Sequence, residues 1–178
     1  MLVATACTAG ITASSETGGY VSSNGAITVV PEADREPAPD IAGRTLNGDQ
    51  VSLEDFADKV VVINTWGSWC TAWREEADDL VAVDEELGDD VQFLGINIRD
   101  NETSARAYES AYGVEYPSIF DPASTQLLEF PPELAAIAVP VTYVIDTSGR
   151  VAARILDNTT ASTLAGVIAD VQGPGPGG

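Results

Sequence analysis

The chain has 178 residues, 44% hydrophobic and 20% charged, with 8 basic residues against 28 acidic ones and a net charge of −20. That length suits one domain of roughly 100–150 residues with flanking segments, and the acidity excludes nucleic-acid binding, because such a surface repels phosphates. There is no histidine, which removes the Ser-His-Asp and Cys-His catalytic sets and histidine metal sites. Lys59 is the sole lysine and lies in no GxxxxGK[ST] stretch, so a phosphate-cradling loop is also excluded. Two cysteines, Cys7 and Cys70, are too few for a disulfide scaffold or a structural zinc site. No metal or cofactor is expected. The acid surplus reads as a solubilising surface; steering of cationic partners is the alternative, and no segment localises it.

In chain order, Met1-Leu-Val-Ala-Thr-Ala6 is a small apolar run leading into Cys7. It is similar to the end of a bacterial lipoprotein signal, in which the cysteine becomes the lipidated N-terminus, although Ala4 stands where that pattern usually has Leu. Lipidation of Cys7 is therefore expected, against an ordinary thiol in a terminal segment. Residues 1–19 read as a signal remnant and a Thr/Ser/Gly-rich tether. Residues 20–36 read as a β-hairpin with a type I′ turn at Asn24-Gly25, followed by a linker-like stretch with Pro31, Pro37 and Pro39. Residues 37–172 form the main domain, and 173–178 (GPGPGG) a disordered tail.

Within the domain, Val60-Val-Val-Ile63 is an uninterrupted β-branched run, the pattern of a strand covered on both faces. Residues 71–87 read as helix, 91–98 as strand, and 101–112 as helix capped by Asn101 or Thr103 and stopped by Gly113. Residues 141–145 and 151–156 flank the turn Asp146-Thr-Ser-Gly149 as antiparallel strands, and 160–171 closes as a helix. The class is α/β, with a central mixed sheet flanked by helices and an N-terminal β-hairpin extension. No transmembrane span is visible.

All three tryptophans fall in Trp66-Gly-Ser-Trp69-Cys70-Thr-Ala-Trp73. This cluster follows the buried strand and opens a helix, so Cys70 sits at a helix start on the carboxyl end of a central strand. Backbone N–H groups and the helix dipole favour the thiolate there, which is the nucleophilic form. Helical spacing puts Cys70, Trp73, Ala77, Leu80 and Leu87 on one stripe. Trp73 accordingly reads as a core or rim residue shielding the thiol, with an aromatic contact for substrate as the alternative. Arg74 reads as a solvent-facing i,i+4 partner of Asp78. Residues 74–90 hold nine acids and one base and read as a solvated face.

The segment Val60 to Cys70 (VVVINTWGSWC) resembles the active-site entry of thioredoxin-like proteins, specifically the extracytoplasmic TlpA/ResA type of disulfide reductase. The resemblance runs upstream through Pro39-Asp40 and Leu46 to Phe56, downstream to the last helix, and covers about residues 37–171; Gly19 to Pro39 is similar to actinobacterial lipoprotein members. It implies a thioredoxin-like fold, thiol–disulfide exchange at Cys70, and a cis bond at Val139-Pro140 facing that cysteine. It further implies a substrate groove at Trp66, Trp69 and Val139, and an active-site glutamate at Glu76. Partners would be disulfide-bearing envelope proteins or low-molecular-weight thiols, with contact to a membrane confined to a lipid anchor on Cys7, placing the protein in the cell envelope.

The chain departs from the Cys-x-x-Cys motif of that family: Cys70-Thr71-Ala72-Trp73 has Trp73 in place of the second cysteine. Tryptophan cannot attack a mixed disulfide, so an outside thiol must resolve the adduct. The other reading is a redox-inactive module that binds peptides beside Pro140. Asn64 stands where cytosolic thioredoxins have a buried acid, and Asp78 replaces the usual helix proline, which predicts a straighter helix. Peroxidase chemistry fits poorly, since Gly67 occupies the threonine position of Thr-x-x-Cys.

Overall fold

The computed structural model describes residues 19–136 and 139–173. In chain order the elements are β1 (Tyr20–Val21), β2 (Ile27–Val29), β3 (Ala42–Arg44), β4 (Gln50–Ser52), β5 (Val60–Trp66), α1 (Thr71–Leu87), β6 (Val91–Ile98), α2 (Glu102–Tyr112), β7 (Ser118–Asp121), β8 (Val141–Ile145), β9 (Val151–Leu156) and α3 (Ala161–Gln172). Seven strands form one sheet in the order β1-β2-β9-β8-β5-β6-β7, and β3 and β4 pair separately. β5, β6 and β7 run parallel; β8, β9, β2 and β1 each pair antiparallel. This is the mixed sheet that the alternating strands and helices predict.

β5 is central, and all seven of its residues are buried. Alternation divides its side chains between two apolar layers. Val61 and Ile63 join Leu94, Ile96, Tyr143 and Tyr108 on one face. Val60 and Val62 join Phe93, Val144 and the Leu164, Val167, Ile168 and Val171 face of α3 on the other. α1 contributes to both, through Trp73 and Ala77 on one side and Leu80 and Val83 on the other. The helix is continuous from Thr71 to Leu87, as expected with Asp78 where a proline would interrupt its bonding.

The N-terminal hairpin belongs to the sheet, since β2 pairs with β9 and covers what would otherwise be an open edge. Its turn differs from the expected two-residue type. Ser22 N–H bonds Ile27 O at 2.9 Å across a longer loop, and Gly25 takes positive φ (73°) while Asn24 does not. The Ser22 side chain accounts for the difference, accepting from the Ile27 N–H at 2.9 Å and bonding Asn24. The stretch after it, linker-like by composition, is fastened down: Arg35 bridges Asp146 at 3.1 Å and Glu36 O accepts from Val151 N–H.

Three strands were not visible in the sequence. β3 and β4 are three residues each, and β7 is four residues between Pro117 and Pro122. Their pairing is set by tertiary fit, with Gly43 lying so close to Ile119 that a Cβ would stand 2.7 Å from its Cγ2. Expectations for Cys7, the tether and the tail beyond Gly173 lie outside the described residues. No helix among the described residues is long and apolar enough to cross a membrane.

Asn101 is the cap of α2, accepting from the Ser104 N–H at 2.9 Å, and Thr103 is not. Replacing a cap of this kind costs about 1 kcal/mol. Asn101→Ala should therefore lower the stability measured by chemical denaturation by that amount, and Asn101→Asp should stay close to wild type because a carboxylate also caps and suits the helix N-terminus.

Candidate active site

β5 ends at Trp66 and the chain turns through Gly67-Ser68-Trp69 into Cys70, the N-cap residue of α1. Cys70 is half-buried, is a free thiol, and makes no capping bond through its side chain. Its neighbours in the loop are each held by a specific contact. Asp100, just after β6, accepts from the Ser68 N–H at 2.6 Å, the Ser68 hydroxyl at 2.9 Å, the Asn97 amide at 3.2 Å and the Asn101 N–H at 2.9 Å. Burial alone would raise the Asp100 pKa, but these hydrogen bonds outweigh it and hold the carboxyl below its ordinary value.

Arg74 Nη2 donates to Ser68 O at 2.7 Å. The expected Arg74–Asp78 pair does not form, because a fixed carbonyl one turn back offers the guanidinium a better partner than an exposed carboxylate. Sequence reasoning missed Asp100 altogether. Its position one residue before a helix cap was the available signal.

The three tryptophans separate into different roles. Trp66 is 2% exposed, stacks on Tyr108 with ring centres 4.7 Å apart, and donates to the Ser118 hydroxyl at 3.3 Å. It therefore supports the site from the core and does not line a groove, contrary to the expectation, because it is the last residue of a strand covered on both faces. Trp69 is 49% exposed beside Cys70, with its Nε1 on Ile98 O at 3.4 Å.

Trp73 is 1% exposed and meets Trp69 edge to face at 4.8 Å. Its backbone carbonyl accepts from Tyr108 Oη at 2.7 Å, and its own indole N–H has no partner among the described residues. Trp73 is thus a core residue behind the thiol, the preferred reading of its stripe position.

Gly67 is what lets the two rings close. A Cβ there would lie 2.6 Å from Trp69 Nε1, 2.9 Å from Ile98 O and 3.1 Å from Trp73 Cζ3.

The Val139–Pro140 peptide is cis. Thr65 pairs with Val141 in the β5–β8 ladder, and its hydroxyl both donates to Val141 O (3.0 Å) and accepts from Val141 N–H (3.2 Å). That register sets Pro140 alongside the end of β5, one residue beyond the pair. Pro140 is buried and Val139 partly exposed.

Behind the loop, Glu76 on α1 is 1% exposed. It accepts from Asn64 Nδ2 at 3.2 Å and from the Thr159 N–H at 3.2 Å; Asn64 Nδ2 also donates to Thr142 Oγ1 at 3.2 Å. The buried acid absent from Asn64 of β5 is thus supplied by α1. Burial pushes the Glu76 pKa up to about 7, with the hydrogen bonds from Thr159 and Asn64 opposing and the Asp157 and Asp79 charges adding to the rise.

The sign of the resulting pH dependence follows from linkage. Below about pH 4.5 Glu76 is protonated in both folded and unfolded chains. Between about 4.5 and 7 the unfolded chain ionises first, so stability falls through this window and levels off above it. Removing the carboxylate should therefore flatten the curve. Comparing wild type with Glu76→Gln by denaturation at pH 5 and pH 8, the wild type should lose roughly 3 kcal/mol more than the variant over that interval. In a second comparison, Gly67→Ala should cost about 1–3 kcal/mol by overpacking and shift the tryptophan fluorescence, as the Trp69–Trp73 contact is forced apart.

The profile of the AhpC/TSA family matches residues 35–154. The chain is 27% identical over 117 residues to the thioredoxin-like protein YneN of Bacillus subtilis, which covers 64% of this chain and 66% of that protein. It is 23% identical over 128 residues to the thiol-disulfide oxidoreductase ResA of the same organism, 71% and 69% respectively. It thus spans about two thirds of the length of these curated relatives. Among solved structures, a DsbF homologue from Corynebacterium diphtheriae superposes with a TM-score of 0.77 at 39% identity, covering 84% of this chain and 95% of that one. A secreted thiol-disulfide isomerase from Corynebacterium glutamicum gives 0.73 at 34%, covering 83% and 92%. With the sheet order, the helix-start cysteine and the cis-proline already in place, the chain belongs to the AhpC/TSA family and, within it, is by resemblance a thioredoxin-like thiol–disulfide oxidoreductase of the TlpA/ResA type.

Proposed function

We propose that this protein carries out thiol–disulfide exchange in the cell envelope through Cys70 alone, with an outside thiol completing each cycle. The observation that carries this reading is Trp73. Its ring lies buried where the Cys-x-x-Cys pattern has its second sulfur, so no resolving thiol stands on α1 beside Cys70. Partial exposure of Cys70 supports a reactive thiol over a module that merely binds peptides.

The exchange balances as follows. The Cys70 thiolate attacks one sulfur of a partner disulfide; that S–S bond breaks, the Cys70–partner bond forms, and the other partner sulfur leaves as a thiolate and takes a proton from solvent. One outside thiol then displaces the partner, leaving its own sulfur on Cys70. A second attacks that adduct, releasing the Cys70 thiolate and the oxidised outside disulfide. The net result is one partner disulfide reduced and two outside thiols oxidised. Trp69, Val139 and Pro140 hold the partner chain beside the thiol, and Glu76 sets the charge behind it.

Disulfide-bearing envelope proteins and small thiols are the partners this scheme requires. The secreted Corynebacterium glutamicum isomerase supports an extracytoplasmic location, and a lipid on Cys7 would tether the domain to the membrane.

Trp73→Cys tests the scheme in an insulin-reduction assay. Wild-type turnover should rise in proportion to the concentration of added thiol, because resolution is bimolecular. Trp73→Cys, checked for folding by circular dichroism, should lose about 3 kcal/mol of stability from the cavity left by the indole. Pre-reduced and freed of thiol, it should nevertheless release one reduced insulin disulfide per chain and finish as an internal disulfide, since resolution has become intramolecular, whereas the pre-reduced wild type stalls as a mixed disulfide. A pre-reduced wild type that releases reduced insulin without outside thiol, or a folded variant that stalls as a mixed disulfide, would refute single-cysteine exchange.

A further inference from the structure

The site's rim carries a charge pattern that the exchange scheme does not use. Acids outnumber bases 28 to 8, so an arginine without a carboxylate partner is unexpected. Arg35, Arg44, Arg106 and Arg150 are all ion-paired. Among the described residues Arg74, Arg99 and Arg154 have no carboxylate within 4.0 Å, and Arg154 is buried with its Nη1 on the Glu133 and Ala135 carbonyls. The two exposed, unpaired arginines are thus Arg74 and Arg99, and both flank the Trp69–Cys70 step.

Their geometry keeps donors available. Arg99 adopts a left-handed backbone (φ 49°), uncommon for a residue with a Cβ, and its guanidinium carbon lies 5.0 Å from the centre of the exposed Trp69 ring. A guanidinium held over an aromatic face retains its in-plane N–H fork, which matches a carboxylate. Arg74 commits one nitrogen to Ser68 O, and no other bond from its guanidinium is formed among the described residues.

Among the described residues the acids nearby form no ion pair with these two arginines. Asp100 accepts four hydrogen bonds from Ser68, Asn97 and Asn101. Glu75 accepts from Asn158 at 3.2 Å, and Glu102 is shared by Arg44 and Arg106. Asp78 lies a further turn along α1 and makes no bond to Arg74.

We infer that Trp69, Arg99 and Arg74 form a specificity rim selecting a low-molecular-weight thiol or disulfide that carries a carboxylate close to its sulfur. This rests on the exchange reading above and names the class of outside thiol it needs. The carboxylate docks on the arginine forks while the carbon chain lies against Trp69, bringing the sulfur to Cys70. In the disulfide form the step is the one already balanced: Cys70 Sγ bonds to one ligand sulfur, the ligand S–S bond breaks, and the departing thiolate takes a proton from solvent.

The test uses three disulfides of matched length: 3,3′-dithiodipropionate (anionic), bis(2-hydroxyethyl) disulfide (neutral) and cystamine (cationic). Rates of Cys70 adduct formation are followed by mass spectrometry in the full chain carrying Cys7→Ser, and each is divided by the rate for free cysteine to remove intrinsic reactivity. The anionic-to-neutral ratio should fall about 3-fold in Arg99→Gln and again in Arg74→Gln. It should not move in Arg150→Gln, which removes an equal charge from a pair with Asp146, just beyond the Val61–Ile145 end of the β5–β8 ladder and so at the opposite end of β5 from Cys70. Added salt should lower the wild-type ratio towards that of the variants.

Unchanged ratios in both rim variants, or an equal fall in Arg150→Gln, would overturn the inference while leaving exchange at Cys70 intact. Failure of Cys70 to react with any of the three would overturn the exchange reading and this inference with it.

Discussion

The indole of Trp73 is the constraint on which the site depends. A residue of this size at the third position after an N-cap cysteine must be buried, and burying it fixes its surroundings. Gly67 has to lack a side chain, Trp69 is turned edge-on above it, and Tyr108 reaches across from α2 to its carbonyl. The same space in a dithiol enzyme would hold a sulfur. Here it holds the end of the hydrophobic core, and under the proposed scheme the second half-reaction passes to an outside thiol. Trp69 and Cys70 pack against it on one side and keep part of their surface open to solvent.

Two polar networks frame this apolar centre from opposite sides. In front, Asp100 ties the loop through Ser68 and keeps its own charge because its hydrogen bonds outweigh desolvation. Behind, Glu76 is held between Asn64 and Thr159, and desolvation wins, bringing its titration to about neutral pH. Two carboxyls close to one loop thus sit on opposite sides of the ordinary carboxylate range. The front one is a structural anion over the physiological range, and the rear one changes charge within it. Their difference comes from the number of donors each receives against how deeply it is buried.

Much of the fold was legible because its strongest signals are local. The β-branched run at Val60, the Asp146-Thr-Ser-Gly149 turn and the Asn101 cap each state their conformation within a few residues, and the helices and long strands fall where those signals place them. β7 and the β3–β4 pair were missed because three or four residues bear no usable period, and neighbours such as Ile119 against Gly43 decide their state. The Asn24-Gly25 turn was misassigned because a serine hydroxyl captured the backbone that the dipeptide alone would have bent.

At the site, the thiol and the burial of Trp73 could be read from spacing alone, whereas Glu76 and the cis bond at Pro140 were named through the family resemblance. The burial of Trp66, the anchoring of Ser68 and the placement of Arg99 over Trp69 could not, since each joins elements from separate parts of the chain. Arg74 shows the same limit on a smaller scale, because helical spacing names Asp78 as its partner and cannot foresee a loop carbonyl.

The lifetime of a Cys70 adduct tests the account most directly. The full chain is loaded with a mixed disulfide at Cys70, freed of excess reagent by gel filtration, and followed by intact-mass and peptide mass spectrometry in thiol-free buffer. The account predicts that the adduct persists for hours and disappears promptly once an outside thiol is added. Spontaneous release in thiol-free buffer, with Cys70 found joined to Cys7 or to a second chain, would contradict it.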